Sequence, residues 1–562
     1  RTSPFVPRRR RRRRRARPTR LRLRRAETAR PALPAMLGLR VMLGRRVMMW
    51  RSAIKMGDAR GGRQAGGRTD APARPTTTGI SLSELAEQVG GRLAGADATS
   101  VVVDDVSFDS RARATKRTMF AAVRGERADG HDFAADAVAN GVGSLLVEQE
   151  LSGLKVPQLV VPDVRAAMGP VAQVAHGHPG TRLQLVGVTG TNGKTTFVSL
   201  LAKLLNRLGV GAESMGTLTG ARTTPEGPEL ARHLHEAADA GVEAVALEVS
   251  SHALALHRAD GLVFDVAVFT NLGRDHLDFH DTQEAYFAAK ARLFEPQRAR
   301  HALLNIDDVH GRLLRDAAGG LPVMEYSLDD LDEVVLTPRG STFTWRGHRV
   351  NVALPGRVNL SNVLPVLETA VLLGHDVSAV AAAASDISGP PGRFQAVNLS
   401  PEGHDRVPAV VVDYAHSPDA LAAVLESARE LLPVDGELIV VFGCGGDRDR
   451  EKRPEMGRVA AERADRVIIT SDNPRSEDPL AIMESAAQGS TGVATTPAEL
   501  IVDRRAAIAA ALAGAPSSSS LVVIAGKGHE TTQTFADRVE HFDDAEVAVE
   551  EWARLAEDGD PR

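Results

Sequence analysis

Cysteine is almost missing from the 562 residues: Cys444 is the only one, which excludes an intramolecular disulfide and a cysteine zinc cluster. That usage suits a reducing cytoplasm. No run approaches the roughly 18 apolar residues of a membrane helix, and residues 31–50 are broken by Arg40, Arg45 and Arg46, which argues against a signal peptide. The glycine-rich stretch 443–449 does not meet the G-x-G-x-x-G pattern of a dinucleotide site. What is present is the balance of a soluble globular protein, 43% hydrophobic and 25% charged, over a length that implies three or four separate cores.

The net charge of −4 hides an asymmetry. Residues 1–75 hold 24 Lys+Arg against 3 Asp+Glu, so the remainder holds 44 against 69. The unbroken arginine run 8–15 has nothing to pack with, and 1–77 is expected to be a disordered, Arg-rich extension. Such an arm could serve nucleic-acid or anionic-membrane attachment. Its composition, its start at Arg1 and the later methionines Met36 and Met56 favour translated upstream sequence, a start-site artefact. The acidic body would repel a nucleic-acid backbone, so no nucleic-acid partner is expected.

Gly190-Thr191-Asn192-Gly193-Lys194-Thr195-Thr196 organises the rest. An apolar run, 185–188, leads into it and an amphipathic stretch, 197–208, leads out, giving strand, glycine turn and helix. In such a turn backbone N–H groups converge, Lys194 reaches terminal phosphates, Thr195 can hold Mg²⁺, and the helix N-terminus adds partial positive charge. A triphosphate is the natural guest. The strict spacing requires a glycine at 188, where this chain has Val188, so the loop is a variant.

Before it, a cap at Ser81 and Glu84 opens a helix over 82–89, and apolar runs at 101–106, 118–123 and 144–147 suggest a small α/β domain over 78–182. After it, strands at 245–249, 266–269 and 302–304 alternate with helices, which predicts a mainly parallel sheet with ligands at the carboxyl ends of its strands. Glu248 to His252 and Asn271 to Asp278 stand at such ends, and Lys290 falls on a helix over 282–294. Alternation over 334–352 suggests short antiparallel strands, followed by a helix over 359–373. The proline pair in 388–393 marks a boundary, so the central domain is expected over 183–388. A second α/β series over 389–562 has strands at 409–412, 438–442, 467–470 and 521–525. Each ends in polar sequence: Asp413 to His416, Gly443 to Asp449, Asp472 to Arg475, and Gly526 to Glu530. Alternating arginines and acids suit a zwitterionic ligand.

Seven stretches in order resemble the Mur ligases from about Thr78 to the C-terminus: GTNGKTT at 190–196, EVSSH at 248–252, the segment 271–278, DYAHSPDAL at 413–421, GCGGDRD at 443–449, DNPR at 472–475 and GKGHE at 526–530. The resemblance implies an α/β protein of three domains: a UDP-binding domain, a P-loop-type ATPase domain with a parallel sheet, and a Rossmann-like domain that brings the amino acid. It implies ATP and Mg²⁺ as cofactors, and the single histidine of the metal set, His276, makes Mn²⁺ a possible substitute. The substrates it implies are UDP-N-acetylmuramoyl-L-alanyl-D-glutamate and meso-diaminopimelate, joined by a cytoplasmic monomer in peptidoglycan precursor synthesis. Carried over by residue, Phe108, Ser110 and the loop Glu126, Arg127 and Ala128 meet the UDP end. Thr223, Thr224, Ser250 and Arg258 hold the muramoyl-dipeptide part. Arg222 and Leu256 stand where family members often have Asn and Gln. Asn359, Arg393 and Asp413 join the 190–196 loop in the ATP site. Arg448, Asp472, Asn473, Pro474, Arg475, Gly526 and Glu530 surround diaminopimelate. Lys194, Glu248, His276 and Lys290 are the catalytic set, and Thr195, Glu248, His276 and a carboxylated Lys290 the metal set. Rival readings are a P-loop ATPase switch or motor, and ligases adding L-lysine, D-Ala-D-Ala, or glutamate to folate.

Overall fold

The computed structural model of the chain describes residues 79–557 apart from 96–97, 99, 126–127, 221, 274–276, 318, 400–406, 494–496 and 516–518. The arginine-rich extension expected at 1–77 lies outside the described residues. So do Glu126, Arg127 and His276.

Helix Leu82–Val89 begins at a capping box, in which the Glu84 amide donates to the Ser81 hydroxyl at 3.2 Å and the Ser81 amide donates back to the Glu84 carboxylate at 3.3 Å. The apolar run 101–106, expected as one strand, is two. Val102–Val103 pairs antiparallel with Ile80–Ser81, while Asp105–Ser107 runs parallel to Thr118–Ala121 in a five-stranded sheet. Asp104 separates them: its carboxylate meets Arg117 Nε at 2.7 Å and its amide donates to the Arg117 carbonyl, so the chain changes sheets there.

Six parallel strands form the central sheet, in the order Val323–Tyr326, Ala299–Asn305, Phe264–Phe269, Gln184–Thr189, Ala244–Glu248, Ala212–Met215. The first of these in the chain is central in the sheet, so the loop after it opens at the point where the strand order reverses. Leu185 packs into the core on one face, and Val186 and Val188 into the core on the other. Burial on both faces explains the near-continuous apolar sequence. Three antiparallel strands, Leu331–Thr337, Gly340–Trp345 and His348–Val352, confirm the alternation over 334–352. They press Phe343, Trp345 and Val350 into a core shared with helix Arg357–Leu372, where the Trp345 indole N–H donates to Glu368 at 2.8 Å.

The C-terminal sheet runs Gln395–Val397, Ala409–Asp413, Leu521–Ala525, Leu438–Cys444, Arg466–Ser471, Glu499–Ile501, antiparallel only at its first strand. The last long strand inserts between the first two long ones, which brings four carboxyl ends distant in sequence to one edge. Several edge strands escape the sequence pattern, among them Ala212–Met215, Val323–Tyr326 and Glu499–Ile501: they are short, and only partly buried.

Beneath that edge lies a fully buried ion pair. Arg504 Nε and Nη2 each donate to the Asp544 carboxylate at 2.7 Å, and Nη2 also donates to the Ala525 carbonyl at 3.1 Å. Removing one partner would strand a buried charge. Arg504→Met is expected to cost about 3–5 kcal/mol of stability, read as a fall in Tm, with part of it regained in an Arg504→Met, Asp544→Leu double variant. An unchanged Tm in the single variant would refute the estimate.

Candidate active site

The phosphate loop starts from a strand end that is already committed. Val188, at the position of the missing glycine, is still inside the sheet, paired with Glu248 on one side and Val268 on the other. The turn therefore begins at Gly190. A Cβ there would lie 1.9 Å from the Thr270 hydroxyl, and one at Gly193, which has φ +88°, would lie 2.3 Å from Asn362 Oδ1. Only glycine fits either place. Thr270 donates to the Asn192 carbonyl at 2.7 Å, the Asn192 amide donates to Asn271 Oδ1 at 2.9 Å, and Gly273 donates its amide to the Thr191 hydroxyl at 2.9 Å. Helix Lys194–Arg207 follows, with Thr195 and Thr196 buried in its first turn.

Two lysines converge on this loop. Lys194 Nζ donates to the carbonyls of Gly190 and Thr191 at 2.8 and 2.9 Å, and Lys290 Nζ donates to the same Gly190 carbonyl at 2.8 Å. Lys290 is 1% exposed, on helix Gln283–Ala291, with its ammonium 4.5 Å from the centre of the Tyr286 ring. It is not the solvated lysine that composition alone would suggest.

Glu248 closes the neighbouring strand and is 1% exposed. Its carboxylate accepts from the Thr217 amide at 2.9 Å and the Thr217 hydroxyl at 3.4 Å. Around it the structure gathers the four residues expected at the muramoyl-dipeptide. Thr224 donates its hydroxyl to the Glu248 carbonyl at 2.8 Å and accepts from the Ser250 amide at 3.1 Å. The Thr223 hydroxyl is 3.1 Å from that of Thr217, and Arg258 donates to the Thr224 carbonyl at 3.3 Å. Arg222 instead points to Glu229 at the surface, and Leu256 caps helix Ser251–Ala255.

Beside the loop opens a cleft of about 330 Å³ lined by Asn192, Gly193, Asn271, Asp308, Ser361 and Asn362, among others. Asn359 is not in its lining. It is 2% exposed and donates to the carbonyls of Pro355 and Phe394 at 2.9 and 3.3 Å. Phe394, a non-glycine residue at φ +44°, in turn donates its amide to Asp413 Oδ2 at 2.7 Å, and Arg393 lies 4.8 Å over the Tyr414 ring. Asn359 and Asp413 therefore meet through Phe394 at the linker, with Arg393 beside them. Desolvation pushes the Asp413 carboxyl up to about 6, against the pull of the Phe394 amide and Arg393.

At the edge of the C-terminal sheet, Asn473 donates to Glu530 at 2.8 Å and accepts from the Thr534 amide at 2.9 Å. Arg475, at φ +52°, donates to the Gly446 carbonyl at 2.6 Å. Arg448 is exposed on the facing loop, and Pro474 and Gly526 are buried. Burial raises the Asp472 carboxyl above its ordinary value, and the fully buried Lys527, 3.9 Å from Asp472 and 3.7 Å from Glu530, opposes that rise. In the N-terminal domain, Asn140 donates to the Ser110 carbonyl at 2.8 Å. Phe108 packs on the core, and Ala128 closes a turn by accepting from the Gly125 amide.

The sequence reading missed Thr217, Tyr286, Asn362 and Lys527, and the acids after the strand Ala299–Asn305. Asp307 and Asp308 obey the same strand-end rule as Glu248 and were open to it. Thr217 lies in a loop with no such signal.

Comparison with known proteins places these features in context. A model described as the Mur ligase middle domain matches residues 188–370, and one described as the Mur ligase, glutamate ligase domain, matches 392–528. The chain is similar to a protein of Streptomyces coelicolor named UDP-N-acetylmuramoyl-L-alanyl-D-glutamate--2,6-diaminopimelate ligase, 40% identical over 507 residues, covering 85% of this chain and 98% of that one. A protein of the same name from Gloeobacter violaceus is 40% identical over 495 residues, with coverage of 84% and 98%. A solved structure of an enzyme of that name superposes with a TM-score of 0.65 at 33% identity, covering 85% of this chain and all of the other. A MurF ligase from Thermotoga maritima in complex with ADP shares the fold, at 19% identity and a TM-score of 0.53, over 81% and 98% of the two chains.

The raised carboxyl at the linker has a consequence for stability. From its ordinary 3.8 up to about 6 the folded chain holds more protons at Asp413 than the unfolded chain does, so this residue withdraws stability as pH rises through that window. Asp413→Asn is expected to flatten that part of a Tm-against-pH curve. A curve with the same slope in both proteins would refute it.

Proposed function

The chain belongs to the Mur ligase family, and from that premise we propose that it joins an amino group of meso-diaminopimelate to the D-glutamyl γ-carboxylate of UDP-N-acetylmuramoyl-L-alanyl-D-glutamate, using ATP, in peptidoglycan precursor synthesis. The observation that carries this reading is the second strand-end cluster. Arg448, Arg475, Asn473, Asp472 and Glu530 gather cations and acceptors at one sheet edge, which a nucleotide-hydrolysing switch would not need. We assign 78–182 to the UDP end of the substrate, 183–388 to ATP and 389–562 to the incoming amino acid. Phe108, Ser110, Glu126, Arg127 and Ala128 are assigned to the UDP moiety, and Thr223, Thr224, Ser250 and Arg258 to the dipeptide. The protein acts as a monomer in the cytoplasm, a compartment that the single cysteine suits. Among the described residues no helix is long and apolar enough to cross a membrane.

A carboxylate resists an amine until its oxygen becomes a good leaving group. The γ-carboxylate oxygen attacks the γ-phosphorus of ATP and ADP departs, leaving an acyl phosphate. The amine nitrogen then attacks the carbonyl carbon, phosphate leaves, and the amine gives up a proton. Anions must be held together and in line, so positioning and charge do most of the catalytic work. Loop amides from Gly190 to Thr196 cradle phosphate, and Lys194 leaves its loop carbonyls for the terminal phosphates. Asn359, Arg393 and Asp413 act on the nucleotide through the linker. Glu248 and Thr195 are hard oxygen donors that fit Mg²⁺, with His276 and a carboxylated Lys290 completing the set. When bound, Mg²⁺ neutralises phosphate charge.

Carboxylation of Lys290 would change the charge beside the loop. Two ammonium groups on the Gly190 carbonyl repel each other, and CO₂ addition to Lys290 would replace one by an anion that attracts Lys194 and a metal. Lys290→Ala is expected to be nearly inactive and to regain product formation with added short carboxylic acids. Full activity without them would refute the modification.

The acceptor is tested directly. ATP hydrolysis is expected to require the UDP-dipeptide and diaminopimelate together. Lysine lacks the far carboxylate and would leave Arg475 with the Gly446 carbonyl but no anionic partner. A preference for diaminopimelate of about 10²–10⁴ in kcat/KM is expected, and it should collapse in Arg475→Ala. Equal use of both amino acids by the wild type, or a preference that survives Arg475→Ala, would reject the assignment.

A further inference from the structure

Arg448 and Arg475 stand on different loops, one after the strand Leu438–Cys444 and one after Arg466–Ser471, so a zwitterion meets both only if the loops are locked together. The lock is a pair of residues to which the chemistry above gives no role. Arg453 sits in the first turn of helix Lys452–Arg463 with its side chain 4% exposed. Both burial and the helix dipole oppose a cation there. Glu477, two residues beyond Arg475, holds it with both carboxylate oxygens: Nη1 donates to Oε2 at 3.1 Å and Nη2 to Oε1 at 2.9 Å.

The same two groups reach the other loop. Arg453 Nη2 donates to the Gly445 carbonyl at 3.3 Å, and the Asp447 amide donates to Glu477 Oε1 at 2.7 Å. Asp447 returns the contact, since its carboxylate accepts from the Ser476 amide at 3.2 Å and the Ser476 hydroxyl at 2.7 Å. Between these, the Gly446 amide donates to the Asn473 carbonyl at 2.9 Å, and a Cβ on Gly446 would lie 1.9 Å from the Pro474 carbonyl oxygen. The joint has no slack. Asp447 and Arg475 are both held at φ +52°, a left-handed conformation that L-residues leave when released. An apolar residue at 453 would fill the same volume without desolvating a charge, so packing alone does not account for Arg453 and its half-buried partner Glu477.

We infer that Arg453 and Glu477 are positioning residues that fix the spacing of Arg448 and Arg475, and so select an acceptor with a carboxylate at its far end. The inference rests on reading this edge as the amino-acid site. It is tested in the full chain with Glu477→Gln and Arg453→Met, with Arg453→Lys as the conservative variant and Asp447→Ala opening the joint from the solvent side. In Glu477→Gln, Arg453→Met and Asp447→Ala, KM for diaminopimelate is expected to rise about tenfold or more and the preference over lysine to fall. KM for ATP and for the UDP-dipeptide should stay within about twofold, as should kcat at saturating acceptor. Arg453→Lys should recover part of the loss. The inference is overturned if Glu477→Gln and Asp447→Ala leave the diaminopimelate KM within about twofold while Arg475→Ala loses its preference. It is equally overturned if all three KM values rise together with a lowered Tm, the mark of a scaffold role. Should Arg475→Ala keep its preference, the amino-acid reading of the edge fails first, and the positioning role falls with it.

Discussion

Thr270 and Asn271 hold the phosphate loop from outside, and the placing of the other central-domain groups follows from that grip. A loop that presents its amides to an anion cannot satisfy its own backbone in the usual way, so its carbonyls and amides need partners elsewhere. The neighbouring strand supplies them: one hydroxyl on the Asn192 carbonyl, one side-chain oxygen on the Asn192 amide. This is possible only because Phe264–Phe269 runs parallel to Gln184–Thr189 and ends at the same level. The same register sets Glu248 beside Val188 on the other flank. Parallel pairing thus delivers loop and carboxylate, with the hydroxyls of Thr217 and Thr224 around it, to one edge.

The C-terminal edge is built on more expensive terms. Arg453, Arg504 and Lys527 are all buried there, each facing carboxylates, and the desolvation of those charges must be offset by paired hydrogen bonds. Such an edge has to keep opposite charges close without letting them collapse on one another. Rigid backbone answers that demand, and the two left-handed residues and the close approach at Gly446 supply it. Buried ion pairs are poor stabilisers but good at fixing one geometry.

Between the two edges lies the linker, and its geometry turns on Phe394. Its carbonyl accepts from Asn359 of the central domain and its amide donates to Asp413 of the C-terminal domain. From the other side, Lys203, on the helix that begins at the phosphate loop, donates to the carbonyls of Ser388 and Gly389 at 2.9 and 3.1 Å. The helix that opens at the Gly190–Thr196 loop therefore grips the linker further along.

Much of the chemistry was legible because each functional cluster directly follows an apolar run, and a parallel sheet puts ligands at strand ends. Gly190 to Thr196, Glu248 to His252, Asp472 to Arg475 and Gly526 to Glu530 are all of this kind. Edge strands were not legible, since their short, half-buried sequences carry little period. Nor was the split of 101–106, where Asp104 turns to the Arg117 carbonyl and guanidinium between two strand pairings. The sequence by itself determined which residue types stand at which strand ends, and hence the phosphate loop, the acids and the arginines. Tertiary structure alone decided that Lys290 is buried against the Gly190 carbonyl, that Asn359 reaches the Phe394 carbonyl, and that Glu477 accepts from both Arg453 and the Asp447 amide. Each of these depends on a partner 24 or more residues away, and burial and pairing over such distances exist only once the strands have found their order.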